Sequence, residues 1–507
     1  MKIKRALGRA GKLLIFFLIA ALLFCLVSAV FIPKWRGPWG NIDAVAGFYE
    51  LEEDSIDTFI VGSSQVISGV APLQLYQEEG IRAYTIGSGH QPVMGSYYLL
   101  KNALLTQPNI KTVVLEVTEL FVQSNEPSYR KVFDYLPLTS VKWEGIQERI
   151  RWAELQDEEQ GTDVAPSAAE YVLPILSYHD RWSELTYDDF TYPFQDTPIQ
   201  IRGQSLLVDQ GARDTYQPLD PASTAACAEP KAEALYFLRA FCAFCQEQGI
   251  SLVLLKTPRM DWSIEQYNTV NAVAKEYSVP YLDFNTASLN RAIGFDYATD
   301  ILKGSETHLN LSGAGKLTAY LGDYLTRHCP VLDVRTTPAY DWMEAETTAY
   351  RQAVGDANLA LVENCSAYLS RIQRDRYSVL VAVKPGDGNA YSAGVQQLLT
   401  QLGLDPRMPS GGCYVAVLEQ GTVLADQWSS GAATQSAELA DSAYCTLTST
   451  GGKTEPNCSI SIDGEELAVD EPGLNLVVYN HETSRVVDSV AFTFTETEGV
   501  TEVATER

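Results

Sequence analysis

The 507-residue sequence predicts a doubly wound α/β domain behind one membrane-spanning helix, with a mostly β domain after it. Three observations predict this. Residues 13–32 run twenty positions without a charge, a helical span of roughly 30 Å, the thickness of a bilayer's hydrocarbon core. From 45 to 330, short apolar runs alternate with amphipathic helical patterns, as in a parallel sheet covered on both faces. From 377 onward the pattern changes to strand-like runs with one helical stretch among them.

The first twelve residues carry Lys2, Lys4, Arg5, Arg9 and Lys12 and no acid. This basic tip, 1–12, is expected to stay in the cytoplasm, with the transmembrane helix at 13–32 and everything beyond it outside. A cleaved signal peptide is the competing reading, because Val27-Ser28-Ala29 offers a small-residue site. Both readings place the bulk of the chain outside the cytoplasm. Residues 33–44, with Pro33, Gly37, Pro38 and Gly40, cannot continue the helix and read as a stalk.

In the domain at 45–330, strands are expected at 57–61, 82–86, 112–117, 251–255 and 280–283. Helices are expected at 72–79, closed by Gly80, and at 93–105, 231–248, 262–277 and 311–327. Between the third and fourth strands lies an insertion, 125–225, rich in Tyr, Trp, Asp and Pro. It is too long for a plain loop and reads as a lid or subdomain over the sheet's carboxyl edge. A linker and polar helix follow at 331–376. The β-rich domain spans 377–495, with strands at 377–384, 413–418, 458–462, 474–479 and 486–494 and a helix at 392–402. The acidic, Thr-rich residues 496–507 read as a frayed tail.

Net charge is −27, and about −32 without the basic tip, which argues against nucleic acid as a partner. Of nine cysteines, Cys25 lies in the apolar segment and the other eight show no zinc-ligand spacing, so no metal and no cofactor is expected. Cys242 and Cys245 form a C-x-x-C pair, but inside an alanine-rich helical pattern and not after a strand, so they read as core residues. Cys365, Cys413, Cys445 and Cys458 could pair outside the cytoplasm, with three connectivities open.

The stretch Asp57-Thr-Phe-Ile-Val-Gly-Ser-Ser-Gln65 carries the clearest chemical signal. A glycine directly after an apolar strand permits a sharp turn, so Ser64 projects at the carboxyl edge, where open α/β sheets place ligands. Ser63 suits a helix cap. The second strand ends in Ile86-Gly-Ser-Gly-His-Gln-Pro92, either a plain turn or a second source of backbone N–H groups, with Gly89 the first candidate oxyanion donor. His90 is a second candidate base. Of five histidines, His308 precedes the last helix and can reach back over the same edge to deprotonate Ser64.

These residues resemble the SGNH/GDSL-like hydrolases, in the branch similar to alginate O-acetyltransferase accessory proteins and the teichoic acid D-alanyl-transfer protein. The resemblance runs through Phe59-Ile-Val-Gly-Ser-Ser64, Tyr84-Thr-Ile-Gly-Ser-Gly-His-Gln91, Val113-Val-Leu-Glu116, Tyr178-His-Asp-Arg-Trp182 and His308-Leu-Asn-Leu-Ser-Gly-Ala314, covering roughly 54–327. It implies a flavodoxin-like SGNH fold with Ser64 as nucleophile, His308 as base, and Gly89 and the Ser64 amide as oxyanion donors. It further implies substrate contacts from His90, Gln91, His179, Arg181 and Trp182. The implied activity is an esterase or O-acyltransferase acting on acyl esters of cell-envelope glycans, with a membrane-bound O-acyltransferase as a possible partner.

The chain departs from the family at two points. The aspartate such proteins place three residues before the histidine is Ser305 here, leaving Asp300 and Glu306 as candidate orienting acids. No Gly-x-Asn-Asp block follows the third strand, where Glu116-Val-Thr-Glu119 stands. A catalytically degraded scaffold of the same fold, or a glycan-binding protein, is therefore the alternative function. The C-terminal domain resembles the interleukin-like EMT inducer domain through Ser459-Ile-Ser-Ile-Asp-Gly464, Gly473-Leu-Asn-Leu-Val-Val-Tyr479 and Val486-Val-Asp-Ser-Val-Ala-Phe492, which implies glycan or protein binding.

Overall fold

The computed structural model describes the whole chain except residues 1, 36, 38, 41, 162–163, 193–200, 212–216, 306, 387–392, 406–411, 452–455 and 498–499. It divides into two compact units, Met1–Tyr350 and Arg351–Arg507.

The first unit opens with α1 (Lys2–Phe31), whose Leu14–Phe31 window has a mean hydropathy of 3.0 and is long and apolar enough to cross a membrane. After α2 (Ile42–Tyr49), the strands β1 (Thr58–Ser63), β2 (Ala83–Ser88), β3 (Thr112–Glu116), β4 (Ser251–Lys256) and β5 (Tyr281–Asp283) form one parallel sheet in the order β2-β1-β3-β4-β5. The chain reverses its direction of travel between β1 and β3, the arrangement that opens a crevice at the carboxyl ends of these strands.

Each strand alternates its apolar side chains between two cores, as a period of two requires when both faces are covered. Phe59, Val61, Val113, Leu115, Leu252 and Leu254 pack on one face with residues of α5 (Val93–Ala103), α11 (Ala232–Gln248) and α12 (Ile264–Tyr277). Ile60, Val114, Val253 and Leu255 pack on the other with α3 (Ser64–Gly69), α4 (Pro72–Glu79) and α14 (Leu311–His328). The expected α/β alternation is present, with strand and helix positions within a few residues of those read from the periodicity. Gly80 ends α4 at φ +73°, a left-handed conformation that favours glycine. The helix α13 (Ala287–Ala292) follows β5.

The first part of the insertion is helical: α6 (Glu126–Phe133), α7 (Ser140–Gln160), α8 (Ala168–Val172), α9 (Ile175–Tyr178) and α10 (Tyr187–Thr191), with a short 3-10 turn at His179–Ser183, while its described residues from 201 to 225 are irregular. Its first helices pack on α5, and α9, α10 and the turn at His179–Ser183 pack on α1. The stretch expected as a free stalk is also structured, since α2 begins at Ile42 and buries Ala44, Val45 and Phe48 in the core.

The helix α15 (Trp342–Ala357) crosses the unit boundary. In the second unit, α16 (Cys365–Arg371) and α17 (Ala393–Gln401) accompany ten strands among the described residues. These are β6 (Tyr377–Lys384), β7 (Cys413–Glu419), β8 (Thr422–Ser429), β9 (Ala432–Glu438), β10 (Tyr444–Thr450), β11 (Asn457–Ile462), β12 (Glu465–Glu466), β13 (Gly473–Asn480), β14 (Arg485–Thr497) and β15 (Val500–Glu506). They form an antiparallel six-stranded sheet, β15-β14-β13-β6-β7-β8, and a four-stranded sheet, β12-β11-β10-β9. Leu380, Val415, Val417 and Val477 meet Leu447 and Ile460 between the sheets, while Val379, Val381 and Leu476 face Tyr368 of α16 and Leu399 of α17.

Two expectations are corrected here. The frayed tail is in fact β15, an edge strand paired from Ala491↔Glu506 to Thr497↔Val500, and the Arg507 guanidinium reaches Asp488 at 3.2 Å. Its run Val-Thr-Glu-Val-Ala-Thr-Glu places Glu502 and Glu506 on one face and Thr501, Val503 and Thr505 on the other, a short, charged edge strand. The eight cysteines outside α1 are free thiols. Cys365 belongs to the core on one face of the six-stranded sheet and Cys413, Cys445 and Cys458 to the core on the other.

Candidate active site

The carboxyl edge of the parallel sheet gathers the polar groups of the first unit. Ser63 ends β1, and its hydroxyl accepts the Gln65 N–H, capping α3, so Ser64 is the first helical residue. At that position a backbone N–H has no carbonyl four residues earlier to pair with inside the helix. The turn needs glycine at two places, where a neighbour's approach leaves no room for a side chain. A Cβ on Gly62 would lie 2.6 Å from the Glu116 Cβ, and one on Gly87 would lie 2.8 Å from the Ser63 carbonyl oxygen.

The Ser64 hydroxyl lies 2.8 Å from Nε2 of His308. The histidine is held by a short bridge between Ile301 and Leu309 and by the Leu302 N–H, which donates to the His308 carbonyl at 3.0 Å. On its other side, Nδ1 is 2.9 Å from the Ser305 hydroxyl and 3.0 Å from that of Thr307. With its proton on Nδ1 the ring donates there and accepts the Ser64 hydroxyl at Nε2, the tautomer a base requires. Burial pulls the imidazole down to about 4, and the charges of Arg259 and Lys256 push in the same direction. The ring is therefore neutral at pH 7 and able to take a proton.

Asp300 does not orient His308. Its carboxylate accepts the Asp296 N–H at 2.7 Å and the Ser312 hydroxyl at 2.7 Å, and pairs with Lys316 at 2.6 Å. It pins the loop to the start of α14, while a hydroxyl, Ser305, stands at Nδ1. The other candidate acid, Glu306, lies outside the described residues.

The Gly89 N–H, expected as an oxyanion donor, donates to the Trp39 carbonyl oxygen at 2.6 Å. The Trp39 ring lies 4.3 Å from the His308 ring, centroid to centroid. The segment after α1 thus covers the site, with a peptide carbonyl on the Gly89 N–H. His90, at φ +56°, turns an exposed ring toward Glu119 at 3.4 Å, and that carboxylate raises its pKa. The Gln91 amide is buried, donating to the Ser96 hydroxyl and accepting from Ser88, which makes it part of the turn's scaffold.

His179, Arg181 and Trp182 are placed elsewhere. His179 contacts the Leu176 carbonyl, Arg181 donates to the Phe31 carbonyl at the end of α1, and Trp182 is exposed. No described hydrogen bond or ring contact joins them to Ser64 or His308.

Three groups at the edge were not singled out by the sequence. Glu116, ending β3, accepts the Ser63 hydroxyl at 2.9 Å and the Thr118 N–H at 2.9 Å, and pairs at 3.4 Å with Lys256, which ends β4. Both side chains are fully buried, and burial pulls the lysine down to about 8. Arg259 is held through its backbone N–H by the Asn285 side chain and through its guanidinium by Asp261. For Glu116 and Lys256 the available signal was positional: a charged residue that ends an apolar parallel strand stands at the edge where ligands bind.

No family model matches this chain, and no curated protein matches it. The geometry therefore carries the functional reading alone.

Proposed function

We propose that the chain is an outward-facing, membrane-anchored serine esterase or O-acyltransferase of the SGNH type, acting on acyl esters of cell-envelope glycans. The 2.8 Å contact between the Ser64 hydroxyl and a neutral, half-buried His308 carries this reading. Ser64 Oγ attacks the ester carbonyl as His308 Nε2 takes its proton. The negative oxygen is met by the Ser64 N–H and, once the Trp39 carbonyl leaves it, by the Gly89 N–H. His308 then returns the proton to the departing alcohol, and water or a sugar hydroxyl takes the acyl group from the serine. A membrane-bound O-acyltransferase is the partner such an enzyme would draw acyl groups from. The β-rich unit is assigned glycan or protein binding.

A fluorophosphonate probe is expected to label the full-length chain at Ser64. Ser64→Ala is expected to lower p-nitrophenyl acetate turnover at least about 10³-fold, since only the oxyanion donors and binding remain. Unchanged turnover in that variant would remove the nucleophile from the mechanism.

The second reading, a non-catalytic scaffold with this site closed, draws on two observations. Nδ1 meets hydroxyls and no described carboxylate, and the Gly89 N–H is already occupied. Folded chain that stays unlabelled both as wild type and as Trp39→Ala would favour it.

A further inference from the structure

We propose that the helical insertion rests on the membrane, dipping a collar of side chains from 172–190 into the outer headgroup layer beside α1. The proposal builds on the reading of α1 as a membrane span. Four contacts tie the insertion to the outer end of that helix. The Ile175 N–H donates to the Ser28 hydroxyl at 3.2 Å, and Arg181 donates to the Phe31 carbonyl at 2.5 Å. The Tyr135 hydroxyl donates to the Pro33 carbonyl, and Lys34 pairs with Asp189 at 3.8 Å.

These contacts fix the depth of the insertion. The apolar window ends at Phe31, and Ser28 lies three residues inside it, about 4.5 Å along the axis. Ile175 therefore sits below the helix end, near the roughly 5–10 Å at which amphipathic segments lie in the headgroup and acyl boundary. Around it, Trp182 is 73% exposed and Tyr187 80% exposed, and Val172, Leu176 and Phe190 are about half exposed. Five large apolar side chains left open within twenty residues form a concentration, not the scattered single exposures of an ordinary surface.

The chemistry of the set points to lipid. Tryptophan and tyrosine combine an apolar ring with a polar edge and favour the membrane–water interface. The elements that carry the patch pack directly on α1, so the bilayer that receives the helix is what covers it. The cations here are engaged, Lys34 with Asp189 and Arg181 with the Phe31 carbonyl, while Asp180 and Glu184 are exposed. A zwitterionic surface therefore suits the patch better than an anionic one. Docked this way, the domain is held at two places, and its carboxyl edge stays at a fixed height above the membrane.

The test uses the full-length chain in phosphatidylcholine nanodiscs, as wild type and as Trp182→Phe, a change at an exposed side chain that the fold tolerates. The fluorescence difference between the two reports Trp182. Replacing the lipid with phosphatidylcholine brominated near the headgroup end of its acyl chains is expected to remove more than half of that difference, and aqueous acrylamide little of it. A difference signal quenched by acrylamide and untouched by bromine overturns the collar, and so does one quenched by neither, which would mean that protein covers the ring. Carbonate-resistant flotation of both chains with liposomes tests the span separately. A chain that floats while acrylamide quenches Trp182 loses the collar alone, and one that does not float loses the span itself.

Discussion

At Ser64 and His308 the sequence names the pair, and the environment decides how they work. Only the neutral imidazole accepts a proton, and with its pKa held at about 4 by burial and by Arg259 and Lys256, the base stays competent well below pH 6. The acid limb of kcat/KM is expected near pH 4 and not near the ordinary histidine value of about 6.5. A limb at 6 to 7 in the pH–rate profile would show that the ring is solvated during turnover. The same depression sets a sign for stability: the native state resists protonation that the unfolded chain accepts. The contribution is complete above about pH 6.5 and is lost as pH falls toward 4. Ser305 and Asp300 separate two roles that sequence spacing merges. Ser305→Asp would place a carboxylate at Nδ1 and favour the imidazolium, so it is expected to move the acid limb upward. Asp300→Ala removes the acceptor shared by Ser312, the Asp296 N–H and Lys316, which keeps only the Gly294 carbonyl, and is expected to cost about 1–3 kcal/mol in denaturant unfolding while leaving the limb in place.

At the scale of elements, what was legible follows from periodicity. The five parallel strands and their flanking helices are long enough, and apolar enough on defined faces, to be read from local pattern, and the Gly-Ser-Ser turn marks where one strand meets its helix. The short helices α8, α9 and α10 bury few residues and carry no clear period, so the insertion looked patternless. The strand β15 looked like a tail because its sequence is acidic and Thr-rich with no clear apolar face, and only its pairing with β14 defines it. The segment 33–44 looked like a stalk because its Pro and Gly content forbids a long helix, and local composition does not reveal that Trp39 finds His308, far away in sequence. That contact yields a prediction of its own. Stacking of aromatic rings contributes roughly 0.5–1.5 kcal/mol, and about 1.4 kcal/mol corresponds to tenfold in an equilibrium. Trp39→Ala is therefore expected to raise kcat/KM toward small esters by up to about tenfold, together with a lowered unfolding midpoint, since the same packing is lost from the folded state. Lower activity in that variant would make Trp39 part of the substrate site and not its cover.

On the proposed anchoring, membrane and charge together organise the whole molecule. A chain of net charge −27 places five cations in a basic N-terminal tip and buries others in internal pairs such as Lys256 with Glu116 and Arg130 with Asp134. Positive residues flanking a first apolar helix favour the cytoplasmic side, so on the proposed topology the tip would set the orientation and both folded units would follow it out. An N-terminal and a C-terminal epitope on the same chain distinguish the alternatives. Protease added to intact cells or spheroplasts is expected to remove the C-terminal epitope and leave the N-terminal one on a membrane stub ending near Pro33. A C-terminal epitope protected until the membrane is permeabilised would reverse the orientation and move the Ser64 site away from any envelope glycan. Loss of the N-terminal epitope from mature protein before any protease is added would mean that a peptidase cuts within α1, at a site such as Val27-Ser28-Ala29. The chain would then be released, and the contacts of Ser28 and Phe31 with the insertion would be lost along with the anchor.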